Sequence, residues 1–184
     1  MERSKKILEG LSNQYTRATM KSMGFSTDDL KRPFIGIANA WSECVPGHFN
    51  LRQVAQRVRD GIYKAGGTPV EFGVMGACDG MANGHNGMHY ILPSRELIAN
   101  SVESMAEVNM FDGLVLLGSC DKIVPGMLMA AARLNIPCIL LPGGPMMGGV
   151  VFDGRESDQT TASEAYGMLS AGKTLITGAD QTAS

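Results

Sequence analysis

The sequence lacks any block of basic residues. Its 16 Lys and Arg are outnumbered by 18 Asp and Glu, for a formal net charge of −2, so nothing in it points to a nucleic-acid backbone as partner. Small anionic substrates stay open, because a site can be locally positive on a weakly acidic chain. No secretory leader is expected, because Met1-Glu2-Arg3-Ser4-Lys5-Lys6 leads into no apolar stretch. No apolar run reaches membrane-spanning length, and residues 136–151 are interrupted by Pro137, Pro142, Pro145 and several glycines. The four cysteines form neither a CxxC pair nor a secreted small-domain framework. They are expected to be reduced and available as ligands, with the cytoplasm as location. There is no GxxxxGK[ST] and no GxGxxG opening a helix, which argues against a nucleotide site. Without clustered His and Cys ligands, a single-zinc hydrolase is disfavoured as well.

What is present is a chain of 184 residues, 44% hydrophobic and 18% charged, enough for one ordinary globular domain. Ile7, Leu8, Leu11, Tyr15 and Met20 recur near helical spacing, which predicts a helix over Lys5 to Met23 stopped by Gly24. Phe34 to Ala38 reads as a short buried strand. Leu51, Val54, Val58 and Ile62 predict a helix over Asn50 to Lys64, ended by Gly66-Gly67. A second strand follows within Pro69 to Val74, then a helix from a Ser94 cap to Val108. Leu114 to Leu117 is a third strand, Pro125 to Leu134 a methionine-rich helix, Cys138 to Leu141 a fourth strand, and Thr161 to Ala171 a last helix. This alternation predicts an α/β fold of three layers: an open, mostly parallel sheet with helices on both faces.

The polar and metal-capable residues follow the strands. Asn39 to His48 comes after the first, Cys78-Asp79-Gly80 after the second, Ser119-Cys120-Asp121-Lys122 after the third, and Pro142-Gly143-Gly144-Pro145 after the fourth. In a parallel sheet the strand C-termini share one edge, where ligands bind. Four distant segments are therefore expected to meet in one crevice. Asp79 and Asp121 are hard oxygen donors of the kind magnesium takes, and Cys120 is a soft donor suited to iron–sulfur or zinc. The bland alternative makes the aspartates turn residues and Cys120 a small buried side chain. Lys122 is either a plain ammonium, paired with Asp121 or a substrate carboxylate, or a desolvated amine able to become a magnesium-binding carbamate. His48, in Pro46-Gly47-His48, is placed at the crevice mouth. His85 and His89 have metal-pair spacing, but Gly84 and Gly87 favour a loop role. Gly143 and Gly144 are candidates to cradle a carboxylate with backbone N–H groups. Met127, Met129, Met146 and Met147 are expected in the core or lining a pocket.

With these residues in view, the chain resembles the dihydroxy-acid dehydratase and phosphogluconate dehydratase family. The resemblance runs in order over roughly residues 5 to 155. It is carried by Val45-Pro46-Gly47-His48 with Asn50-Leu51-Arg52, by Asp79-Gly80 with Gly84-His85 and Gly87-Met88, and by Leu92 to Ala99. Cys120 to Met129 and Pro142 to Met146 complete it. It implies that Cys120 ligates an iron–sulfur cluster and that Asp79 and Asp121 bind Mg2+ with Lys122 as a carbamate. It further implies that a 2,3-dihydroxy acid is dehydrated to a 2-keto acid, in branched-chain amino acid biosynthesis, by a homodimer. Sugar-acid (aldonate) dehydratases share these motifs, and a non-catalytic truncated module is the reading from a different class. Gly47 stands where two-iron members often carry a cysteine, which leaves 2Fe-2S and 4Fe-4S clusters both open. The roles of Cys44 and Cys78 are open too, with Cys78 read as a bystander. In the family a further cluster cysteine, a magnesium glutamate and the serine base lie in a later part of the chain. The catalytic base is therefore expected beyond Ser184, and none within residues 1–184. The chain is thus expected to be an N-terminal cluster- and magnesium-binding α/β segment of a hydro-lyase, with an incomplete site by itself.

Overall fold

The computed structural model describes residues 2–144, 151–152 and 155–172. They fall into two compact units, residues 1–144 and 145–184. The first is built on a four-stranded sheet in the order β2-β1-β3-β4, with β1 at Phe34–Asn39, β2 at Thr68–Gly73, β3 at Gly113–Leu117 and β4 at Cys138–Leu141. Every neighbouring pair is parallel. The expected parallel α/β sheet is therefore present, with helices on both faces.

Period-two alternation along the strands divides the core in two. On one face Phe34 and Ala38 of β1, Phe72 of β2 and Leu114 and Leu116 of β3 pack with Ile98, Val102, Ile123 and Met127. These last four belong to the helices α5 (Ile91–Val108) and α6 (Ile123–Leu134). On the other face Ile37 and Leu117 meet Leu51 and Ala55 of helix α3 (Leu51–Lys64). Helices α5 and α6 pack closely at Gly126, where a Cβ would stand 2.7 Å from the Arg95 carbonyl oxygen. Asp112 ties the chain start to the sheet: its carboxylate accepts from the Ser4 N–H at 3.1 Å and from the Phe34 N–H at 2.8 Å.

Three boundaries differ from the sequence-based expectation. The single helix over Lys5 to Met23 is broken into α1 (Lys5–Leu8), a 3-10 turn at Leu11–Asn13 and α2 (Gln14–Ser22). The break sits at Gly10, whose φ of +84° is left-handed backbone that a helix cannot continue through. Helix α5 starts at Ile91 rather than after Ser94, and α6 at Ile123 rather than Pro125. Pro93 and Pro125 each stand in a first turn, where their missing N–H has no intrahelical partner to lose. Ser94 is no cap; its hydroxyl donates back to the Ile91 carbonyl at 2.6 Å. A one-turn helix α4 (Asp79–Ala82) and a 3-10 segment at Asn86–Tyr90 link β2 to α5.

The second unit contains a two-residue antiparallel pairing of β5 (Val151–Phe152) with β6 (Arg155–Glu156) and the helix α7 (Gln159–Ser170). A capping box starts α7: the Asp158 carboxylate accepts from the Thr161 N–H at 2.8 Å, and the Thr161 hydroxyl accepts from the Asp158 N–H at 3.3 Å. Pro145, Met146 and Met147, read above as motif and pocket residues, lie outside the described residues. So does Ser184, the position beyond which the catalytic base is expected. Among the described residues no helix is long and apolar enough to cross a membrane.

Candidate functional site

The strand order makes β1 and β3 the point where the chain reverses its winding: β1 leads outward to β2, and the chain then returns to β3 on the other side of β1. Such a switch point opens a crevice at the strand C-termini. The segments after β1, β3 and β4 are joined across it. His48 is fully buried, its Nδ1–H donating to the Ala40 carbonyl and its Nε2 accepting from the Ser119 N–H at 2.8 Å. Those two partners assign the neutral tautomer. Burial holds the imidazole below its ordinary pKa, against an opposing pull from the Ser119 and Ala40 carbonyls.

Ser119 and Asn50 extend this joint to the turn after β4. The Ser119 hydroxyl accepts from the Gly143 N–H at 2.8 Å, and the Asn50 amide donates to the Gly143 carbonyl at 3.0 Å. Gly143 is itself pressed against Gly47, so that a Cβ there would overlap the Gly47 carbonyl oxygen. Of the expected pocket residues, His48 and Gly143 thus spend their polar groups holding the crevice together. Gly144, at φ +100°, is exposed. Neither Ser119 nor Asn50 is assigned a site role from sequence; Ser119 is visible only as the residue before Cys120, and Asn50 only as part of the motif that follows His48. The Asn50 Oδ1 is buried and has no hydrogen-bond partner among the described residues.

The proposed metal residues gather at the ends of β2 and β3. The Cys120 thiol donates to the Asp79 carboxylate at 3.1 Å although the two are 41 positions apart. Cys120 carries a positive φ of +80°, an uncommon backbone for a non-glycine residue. Burial first, and the Asp79 carboxylate second, push its thiol up to about 12. Asp79 is shifted the other way: the thiol hydrogen bond lowers its pKa against a smaller rise from burial, and the Lys122 charge contributes. Lys122 ion-pairs with Asp121, with side chains 26% and 58% exposed respectively. Asp121 therefore faces water, while Asp79 and Cys120 are half-buried. The donors are of the two kinds anticipated, carboxylate oxygen and thiol sulfur, and they occupy a single corner. Cys78 joins them: its sulfur, that of Cys120 and an Asp79 oxygen lie within 4.8 Å of one another.

His85 keeps its ring nitrogens on local backbone, with Gly87 N–H at 3.0 Å and the Met81 carbonyl at 3.0 Å. It thereby caps the Asn86–Tyr90 turn. Cys44 is exposed. Beside the crevice, Asn39, Trp41, Arg52, Glu71 and Met75 line a cavity of about 270 Å³. In it the Arg52 guanidinium stacks 3.4 Å from the Trp41 ring centroid.

Comparison with known proteins gives a consistent result. The model of the family described as "Dihydroxy-acid/6-phosphogluconate dehydratase N-terminal" matches residues 32–182. A protein of Pyrococcus furiosus named dihydroxy-acid dehydratase is 54% identical over 171 residues, 93% of this chain and 31% of its own length. Its namesakes in Caldanaerobacter subterraneus and Methanococcus vannielii are 52% and 49% identical, over 93% and 92% of this chain and again 31% of their own lengths. The chain thus spans about a third of the length of the curated relatives it matches.

Proposed function

The chain belongs to the dihydroxy-acid/6-phosphogluconate dehydratase family through its N-terminal domain, and on that premise we propose that it supplies an N-terminal, metal-binding part of a hydro-lyase. The substrate is a 2,3-dihydroxy acid of branched-chain amino acid biosynthesis and the product a 2-keto acid. The observation that carries this reading is the corner at the ends of β2 and β3. There Cys120 meets Asp79 at 3.1 Å and the Asp121–Lys122 pair follows immediately in sequence.

The residues present fit the groups proposed. Cys120 would hold an iron–sulfur cluster, and Asp79, Asp121 and Lys122, the last as a carbamate, would hold Mg2+. When bound, these groups supply Lewis acidity toward the hydroxyl groups and carboxylate of the acid. The chain's own part is positional. His48, Ser119 and Asn50 fix the crevice walls, and Asp79, with a pKa held low, offers an ionised carboxylate at neutral pH. Carbamate formation would first release one proton from the Lys122 ammonium and a second as the free amine joins carbon dioxide, replacing a cation beside Asp121 by an anionic oxygen donor. The base that takes the C2 proton is expected from a part of the family chain beyond Ser184. A homodimer and a cytoplasmic location are part of the same proposal, with a sugar-acid substrate as the alternative.

The test is complementation in one polypeptide. This chain is fused to the remaining two-thirds of the Pyrococcus furiosus relative and reconstituted anaerobically with iron, sulfide and magnesium. It is then assayed for keto acid from 2,3-dihydroxyisovalerate and from an aldonate. Turnover of the first substrate, with cluster absorbance and turnover both lost in Cys120→Ala, is expected. Turnover confined to the aldonate moves the substrate to the sugar acids. A reconstituted fusion indifferent to Cys120→Ala refutes the ligand assignment.

A further inference from the structure

Cys78 has no part in the proposed reaction, yet it stands in the same corner. Its sulfur, the Cys120 sulfur and a carboxylate oxygen of Asp79 lie within 4.8 Å of one another, and all three residues are half-buried. Around a tetrahedral ion with metal–sulfur bonds of about 2.3 Å, two sulfurs sit about 3.8 Å apart. The two sulfurs therefore need to close by no more than about 1 Å to share one ion, and the Cys120 sulfur already stands 3.1 Å from an Asp79 oxygen. Two sulfurs and one carboxylate, with a fourth corner left for water, suit zinc, ferrous or cobaltous ions; magnesium takes oxygen donors instead. The other two cysteines provide an internal contrast. Cys44 is exposed and Cys138 half-buried, and neither belongs to a group of three or more His, Cys, Asp or Glu donors among the described residues.

We propose that Cys78, Asp79 and Cys120 form a binding site for a single thiophilic divalent cation in the chain that carries no cluster. Two thiol protons pass to solvent as two metal–sulfur bonds form, and the Cys120–Asp79 hydrogen bond gives way to a metal–oxygen bond. No electron is transferred. Because Cys120 and Asp79 are also the donors assigned above to the cluster and to magnesium, this ion and those groups exclude one another. Cys78 is thereby the residue that makes the corner a trap for stray soft metal. The site rests on geometry alone and does not depend on the dehydratase reading.

Cobaltous ion is the probe, titrated anaerobically into the reduced, cluster-free chain. One equivalent should give strong visible bands of tetrahedral cobalt and near-ultraviolet thiolate charge transfer. One equivalent of zinc should bleach both, and excess magnesium should leave them. Cys78→Ser should weaken binding about a hundredfold, since loss of even an outer-shell partner costs ~10–100-fold, while Cys44→Ser should change nothing. In the unmodified chain, zinc should shield Cys78 and Cys120, but not Cys44, from alkylation mapped by mass spectrometry. Weak octahedral bands, equal affinity in Cys78→Ser, or alkylation of Cys78 unchanged by zinc each overturn the proposal. An inactive fusion enzyme leaves these spectra as they are, so the two readings fail separately.

Discussion

Replacing His48 by alanine tests whether the imidazole holds the switch point together. The ring is fully buried, and it serves a carbonyl after β1 and an N–H after β3, the latter 71 positions from His48. Its removal strands the Ala40 carbonyl, in a residue that is itself 0% exposed. An unpaired buried polar group costs about 1–3 kcal/mol. The half-buried Ser119 N–H adds a smaller penalty and the vacated ring a cavity, for a total of about 3 kcal/mol. The assay is urea unfolding at pH 7.5, followed by fluorescence of Trp41, the single tryptophan. The pH dependence gives a second, independent readout. Burial lowers the folded pKa of His48, whereas the unfolded imidazole titrates near its ordinary value of about 6.5. Below that value the unfolded chain binds the extra proton, so stability is fully present above about pH 6.5 and declines as pH falls toward the folded pKa. The unmodified protein should therefore lose stability between pH 7.5 and 5.5, and His48→Ala should not show that loss. A loss under about 1 kcal/mol at pH 7.5 would mean that the bridge contributes far less than these penalties imply. Parallel pH curves for the two proteins would contradict the buried neutral ring.

Gly126→Ala places a methyl 2.7 Å from the Arg95 carbonyl, and spreading α5 from α6 should cost about 1–3 kcal/mol despite alanine's better helix propensity; a Tm unchanged in a thermal scan would show that the helices yield freely. Asp112→Ala removes the acceptor of the Ser4 and Phe34 N–H groups and should cost about 2 kcal/mol in urea. Asp112→Asn keeps one acceptor oxygen and should fall between the two; an asparagine variant as unstable as the alanine one would point to lost charge rather than lost hydrogen bonds.

The sheet was legible because each strand is a short apolar run closed by glycine, proline or a polar corner, and a parallel sheet buries such runs on both faces. The placement of Asp79 and Cys120 at one edge followed from the same pattern. What could not be read was how polar groups are spent. His48 and Gly143 looked like ligand contacts because they stand at the crevice, yet their hydrogen bonds are consumed by Ala40, Ser119 and Asn50. Ser119 carried no signal, since one serine before a cysteine looks like any other. Cys78 was passed over because proximity of two sulfurs across 42 positions is a property of loop paths, and strand patterning is silent about those. The helix starts were misplaced because Ser94 looked like a cap and Pro125 like an opening residue, although a first-turn proline is compatible with a helix already begun.

The two strands that carry Asp79 and Cys120 are not neighbours; β1 lies between them. With strands about 4.8 Å apart, their ends are separated by about twice that distance, and the segments that follow them bring Asp79 and Cys120 to 3.1 Å. The corner therefore has no local precursor in the unfolded chain. Its Cys120–Asp79 contact spans 41 positions and needs β2, β1 and β3 already in register, and the His48 bridge beside it spans 71. Loop closure on that scale comes late in folding. A metal ion added to the unfolded chain meets scattered cysteines and carboxylates rather than a nucleus, and it can stabilise the native state without hastening its formation.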